Sequence, residues 1–172
     1  MGVKVVLTEE SVWLGGMMTA AGVSAFDGNH NMPSGIWGEF RNALYKVYGG
    51  PNKVATGWVS NTQFEPHVGD SIVKSMVKAL PNLSVLYRHR FVSIIKEQQR
   101  VKGAVMLNLK NNQLVHVMAK QVIDATELGD VLADAGAGYD IGMEASAITG
   151  EDVQVPESND IVQDLTYVAI LK

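Results

Sequence analysis

Apolar residues fall into two rhythms along this chain. From Val3 to Thr8 they run almost without a break and are mostly β-branched, which predicts a short strand over residues 3–8, buried on both faces as strands of a parallel sheet are. "LSVLY" (83–87) and "QVIDAT" (121–126) repeat that pattern. Between the first two, the spacing changes to three and four. Ile36, Trp37, Phe40, Leu44 and Val47 predict a helix from a cap at Ser34 to about Tyr48, stopped by Gly49, Gly50 and Pro51. Val68, Ile72, Val73, Met76, Val77 and Leu80 predict a second helix, opened by Pro66 and closed by Pro81 and Asn82. "FVSIIKEQ", "RVKGAVMLNL" and "QLVHVMAKQ" follow with tight connections, among them Asn111-Asn112, and predict an antiparallel meander. "ELGDVLADAGA" reads as a short helix. After Gly150 the chain turns polar, with Pro156 in an expected linker, and "DLTYVAILK" reads as a closing strand.

Three buried-strand patterns separated by helices and a meander give an α/β class: a parallel sheet holding 3–8, 83–87 and 121–125, with the meander of 90–120 as a separate layer. The length of 172 residues, 47% apolar and 19% charged, suffices for a real core. A net charge of −4 argues against nucleic acid and anionic membranes as partners. Cysteine is absent, which removes disulfides and thiolate chemistry. No apolar run approaches the ~18 residues of a membrane span, and no leader pattern opens the chain, so the expected compartment is the cytoplasm. Seventeen glycines, against a usual share of about 7%, cluster at 15–57 and 129–150 and direct attention there.

Glu9 stands where the first strand ends. A carboxylate at the C-terminal end of a parallel strand can accept both hydroxyls of an adenosine ribose; it can equally be a solvated acid. Gly15-Gly16 either lets backbone approach a ligand or simply turns the chain. "GAGYDIG" has the wrong spacing for a dinucleotide fingerprint and follows helix rather than strand, so these glycines are read as ending a helix. In "DATELGD", from Asp124 to Asp130, a strand running into Thr126, Gly129 and Asp130 could bring backbone N–H groups and a carboxylate to a ligand; alternatively Thr126 caps the helix that follows. His30, His67, His89 and His116 form no metal-binding spacing, and only His67, beside Glu65, is kept as a site candidate. No G-x-S-x-G elbow is present.

Taken in order, "VVLTEESVWLGGMMTAAGVSAFDG", "PSGIWGEF", "FEPHVGDSIV" and "VIDATELGDVLADAGAGYDIGMEA" resemble FAD-dependent oxidoreductases of the glutathione-reductase-like superfamily, in the xanthan lyase-type branch. The resemblance covers nearly the whole chain. It implies that Glu9 is the acid that binds the adenosine ribose. Trp13, Leu14, Gly15 and Gly16 would run along the cofactor, and Met17 to Gly22, with Thr19, would lead toward the flavin ring. Val92 matches the residue whose backbone pairs with adenine. Asp124, Ala125 and Thr126 match the motif that returns the chain to the pyrophosphate, followed by Gly129 and Asp130. Glu127 stands where that motif usually has glycine, which puts a close backbone contact there in doubt.

The family's first strand and its glycine-rich phosphate loop have no counterpart in these residues. The expected fold is therefore an incomplete Rossmann-like FAD-binding domain over 1–150 with its antiparallel meander, and residues 151–172 as a linker and the first strand of a truncated substrate domain. The implied function is that of a fragment of an FAD-dependent oxidoreductase, passing hydride between an organic substrate and flavin N5. Lacking the helix N-terminus that holds the pyrophosphate, the chain is expected to bind FAD weakly or not at all and to be inactive alone. The alternative is a non-catalytic, FAD-free remnant. Without a strand between them, 3–8 and 121–125 would each bear an open edge; they either pair with each other or recruit a second copy, and self-association is the expectation.

Overall fold

The computed structural model describes residues 2–56, 60–152, 154–165 and 168. It is an α/β, Rossmann-like arrangement of parallel strands and helices with an antiparallel meander. The chain divides into two units. The first holds the residues up to Arg90, Leu107–Leu114 and Val168; the second holds Phe91–Met106 and 115–165.

In the first unit, β1 (Val5–Glu9) pairs in parallel with β4 (Leu83–Tyr87), from Val5 against Leu83 to Glu9 against Tyr87. Parallel neighbours need a crossover, and it carries two helices. α1 (Gly35–Tyr48) begins after Ser34, which takes the extended cap conformation without a side-chain cap bond, and ends at a left-handed Gly49. α2 (Pro66–Lys78) opens on its proline. A short antiparallel pair, β2 (Ala25–Phe26) and β3 (Thr62–Gln63), lies in the loops between them.

The core of this unit is Phe40, Leu44, Phe64 and Ile72, with Phe26, Trp37, Val68 and Met76 packed around it. The phenylalanines meet edge-on and stacked, with Phe40–Phe64 centroids 5.3 Å apart and Phe26–Phe64 5.9 Å. Burying Leu44 completely contributes on the order of 1.5–3 kcal/mol. Gly69 lets α2 approach: a Cβ there would stand 2.5 Å from the Phe64 ring.

Several expectations change here. Ile36 and Val47 lie at one margin of the α1 stripe and are exposed, while Gly38 and Arg41 turn inward. β1 is not buried on both faces; Val5 and Val6 are about half exposed, at 45% and 49%, because β4 is its one ladder partner among the described residues.

The meander forms as expected: β5 (His89–Glu97), β6 (Arg100–Asn108) and β7 (Gln113–Met118) lie in that order. At Gly103 the β6 backbone runs so close to β7 that a Cβ would stand 2.2 Å from the Val117 carbonyl oxygen.

Residues 121–126 form no strand. A strand exists only as part of a ladder, and this segment enters none among the described residues. Local hydrogen bonds to the Asp124 carboxylate organise it instead. α3 (Asp130–Ala135) follows and ends at left-handed Gly136, as its glycines suggest. The expected linker folds back: Met143 and Asn159 exchange both backbone hydrogen bonds, and a further helical turn, α4 (Ser146–Thr149), lies between these arms. In the expected closing strand, residues 166, 167 and 169–172 lie outside the described residues.

Candidate functional site

At the C-terminal ends of β1 and β4 the chain leaves the parallel pair and turns sharply. The half-buried Glu9 carboxylate accepts the Ser11 N–H through Oε1 at 2.7 Å. Ser11 Oγ in turn accepts the Trp13 N–H at 2.9 Å, and the Ser11 carbonyl accepts the Arg88 N–H at 3.1 Å, just past β4. Among the described residues Oε2 of Glu9 receives no hydrogen bond, and a carboxylate has about four acceptor sites. Glu9 therefore keeps the capacity to accept a vicinal pair of hydroxyls. Glu10 is exposed, with Arg90 4.0 Å away.

Beyond Trp13 the loop is held from α2. Asp70 Oδ1 accepts the Leu14 N–H at 2.7 Å, its Oδ2 lies 2.6 Å from Lys74 Nζ, and Lys74 also donates to the Val12 carbonyl at 2.7 Å. Lys74 further stands over the Tyr87 ring, 5.6 Å from its centroid. Neither Asp70 nor Lys74 is legible as a site residue in sequence, since each acts on residues far away along the chain.

Gly15 and Gly16 both take positive φ, 112° and 52°, and lead into a 3₁₀ turn at Gly16–Met18. At Gly15 the glycine is obligatory: a Cβ would meet Thr19 and Met18 side-chain atoms within 2.9 Å. Thr19 is buried, and its hydroxyl donates to the Leu14 carbonyl at 2.7 Å. Its part in the site is to brace the loop. Met17 is 66% exposed. Ser11, Trp13, Thr19, Ala20, Gly22 and Pro66 line an open cavity of about 500 Å³, within the range of small-molecule sites. His67 is exposed and makes no side-chain hydrogen bond among the described residues.

In the second unit, Asp124, Ala125, Thr126 and Asp130 form one local motif. Asp124 Oδ1 accepts the Thr126 N–H at 2.9 Å and its hydroxyl at 2.7 Å; Oδ2 accepts the Leu132 N–H at 2.8 Å. Thr126 Oγ1 accepts the Asp130 N–H at 2.9 Å. These bonds satisfy the free N–H groups at the start of α3. Desolvation pulls the Asp124 carboxyl upward, but the N–H and O–H donors of Thr126 and the N–H groups of Leu132 and Val131 together outweigh it and hold its pKa below the ordinary 3.8. Val92, on β5, is about half exposed. No group of three or more metal-ligating side chains is gathered among the described residues, and no helix there is long and apolar enough to cross a membrane.

The β1 end thus offers a carboxylate with spare acceptor capacity and a glycine turn, joined by a loop whose Ser11 and Trp13 line a cavity. A family model described as FAD dependent oxidoreductase matches residues 1–169. No curated protein matches the chain.

Proposed function

The chain belongs to the FAD-dependent oxidoreductase family, and on that premise we propose that its first unit holds the adenosine side of FAD, with Glu9 accepting the ribose hydroxyls. The observation that carries this reading is the Glu9 carboxylate at the end of β1, fixed by Ser11 and left with free acceptor sites. The loop from Ser11 and Trp13, which line the cavity of about 500 Å³, leads into the Gly15-Gly16 turn; at Gly16 nothing stands within 4 Å of an added Cβ, so a flat, extended ligand can lie close there. Asp70 and Lys74 keep the loop in place, so its ordering is not charged against binding.

When bound, FAD supplies hydride chemistry at N5 toward an organic substrate, in the manner of the xanthan lyase-type branch; the protein supplies binding, orientation and exclusion of water. In the second unit, Asp124 and Thr126 shape the loop into α3. The test is thermal unfolding of the purified protein with and without FAD, together with absorbance near ~450 nm for retained flavin. Stabilisation that saturates with FAD supports the reading; none up to millimolar FAD refutes it.

A second reading has its own observation. The half-exposed Val5 and Val6 on β1, whose single ladder among the described residues is with β4, suit a chain that self-associates along that edge without cofactor. Light scattering after size exclusion tests it; a monomer at all concentrations removes it.

A further inference from the structure

Arg41 points inward from α1 and is 6% exposed. Its Nη2 donates to the Met32 carbonyl at 2.8 Å, whereas Nε and Nη1 are buried and meet no acceptor. The rings of Trp37 and Tyr45 stand 5.4 and 5.8 Å from the guanidinium carbon. No carboxylate pairs with Arg41 among the described residues. A guanidinium does not shed its proton, so this charge is buried as such. Aromatic faces offset part of the loss of water but accept no N–H in the ring plane. Buried donors without partners require an explanation, of which a bound ion is one.

We propose that Arg41 binds the carboxylate of a small organic acid beneath the strap of residues 29–33. That strap is tied to α1 by two side-chain bonds, Arg41 to Met32 and Trp37 Nε1 to the Asn29 carbonyl at 3.1 Å. Residues 31–36 are exposed, so releasing the strap displaces no core. One buried cation matches one negative charge, and a planar carboxylate matches the guanidinium fork. A phosphate, carrying about −1.5 to −2, would leave excess charge buried. The inference does not depend on FAD being bound, so failure of the flavin test leaves it standing.

The experiment follows the Arg Nε–H resonances of the flavin-free full chain by ¹⁵N NMR, with Arg41 assigned through Arg41→Lys. Acetate, propionate, inorganic phosphate and chloride are added at equal ionic strength. Thermal unfolding of wild type and Arg41→Met is measured under the same conditions. Expected is a saturable shift of the Arg41 signal with acetate or propionate, and a rise in midpoint of a few degrees that is absent in Arg41→Met. A signal indifferent to all anions overturns the proposal, as does an equal rise in both proteins. Phosphate acting at lower concentration than the carboxylates overturns the ligand class. If Arg41→Met fails to fold, the wild-type resonance decides alone.

Discussion

The Asp70 carboxylate accepts the Leu14 N–H at 2.7 Å across 56 positions of sequence, and so fastens the loop after β1 to the middle of α2. The same carboxylate meets Lys74, which reaches the Val12 carbonyl. The loop that carries the candidate ligand contacts is thereby part of the helix layer. Asp70→Ala is expected to lower stability by about 1–3 kcal/mol, the scale of a lost hydrogen bond to a charged group. Asp70→Asn, which keeps an acceptor, should cost less. Since Lys74 is 38% exposed, the ion pair itself contributes little. Urea denaturation of both variants checks the order; equal losses would place the effect in the charge rather than in the Leu14 bond.

Gly15 and Gly16 are adjacent and unequal. Both have positive φ, but only at Gly15 would a Cβ collide, with Thr19 at 2.8 Å. Gly15→Ala should cost about 2–3 kcal/mol through strain and displacement of Thr19. Gly16→Ala, with open space around it, should cost about 1 kcal/mol. Thermal unfolding of the two variants compares them directly.

The meander offers a similar contrast. Gly103→Ala drives a Cβ to 2.2 Å from the Val117 carbonyl oxygen and should separate β6 from β7 at an expense of about 2 kcal/mol or more. Gly138→Ala meets nothing within 4 Å and should stay within about 0.5 kcal/mol of wild type. Amide exchange at Val117 and Met118 would rise in the first variant only.

Asp124 gives a pH signature. Its folded pKa lies below 3.8, so its contribution is fully present above 3.8 and fades as pH falls through the lower folded value. Solvent screening keeps the effect small, and Asp124→Asn should cost about 0.5–1 kcal/mol at pH 7. The gap between wild type and variant should narrow on acidification below 3.8. A gap that persists at pH 2 would assign it to shape rather than charge.

Much of the frame is legible in the residues. β4 occupies the predicted 83–87, and both long helices begin at the Ser34 and Pro66 signals, because period and caps are local properties. Three features resist such reading for physical reasons. "QVIDAT" has a strand's composition, yet pairing depends on a neighbour that composition does not supply. Ile36 and Val47 fit the helical period, but which margin of an apolar stripe meets the core is set by the partner, here Phe26 and Phe64. Asp70, Lys74 and Arg41 look like surface charges; only the fold turns them onto the loop and the strap. In the candidate site, Glu9 and the glycine pair are visible from the start. Thr19 is visible too, and its hydroxyl also braces the Leu14 carbonyl.

The most direct measurement is FAD titration, followed by quenching of flavin fluorescence, into wild type, Glu9→Ala and Glu10→Ala. Glu9 keeps free acceptor sites at the end of β1, while Glu10 is exposed beside Arg90. Expected is saturable binding by wild type and by Glu10→Ala. For Glu9→Ala, binding should be weaker by about 5- to 150-fold, corresponding to about 1–3 kcal/mol for hydrogen bonds to a charged group. Unchanged affinity in Glu9→Ala, or a loss in Glu10→Ala instead, would contradict the ribose role of Glu9.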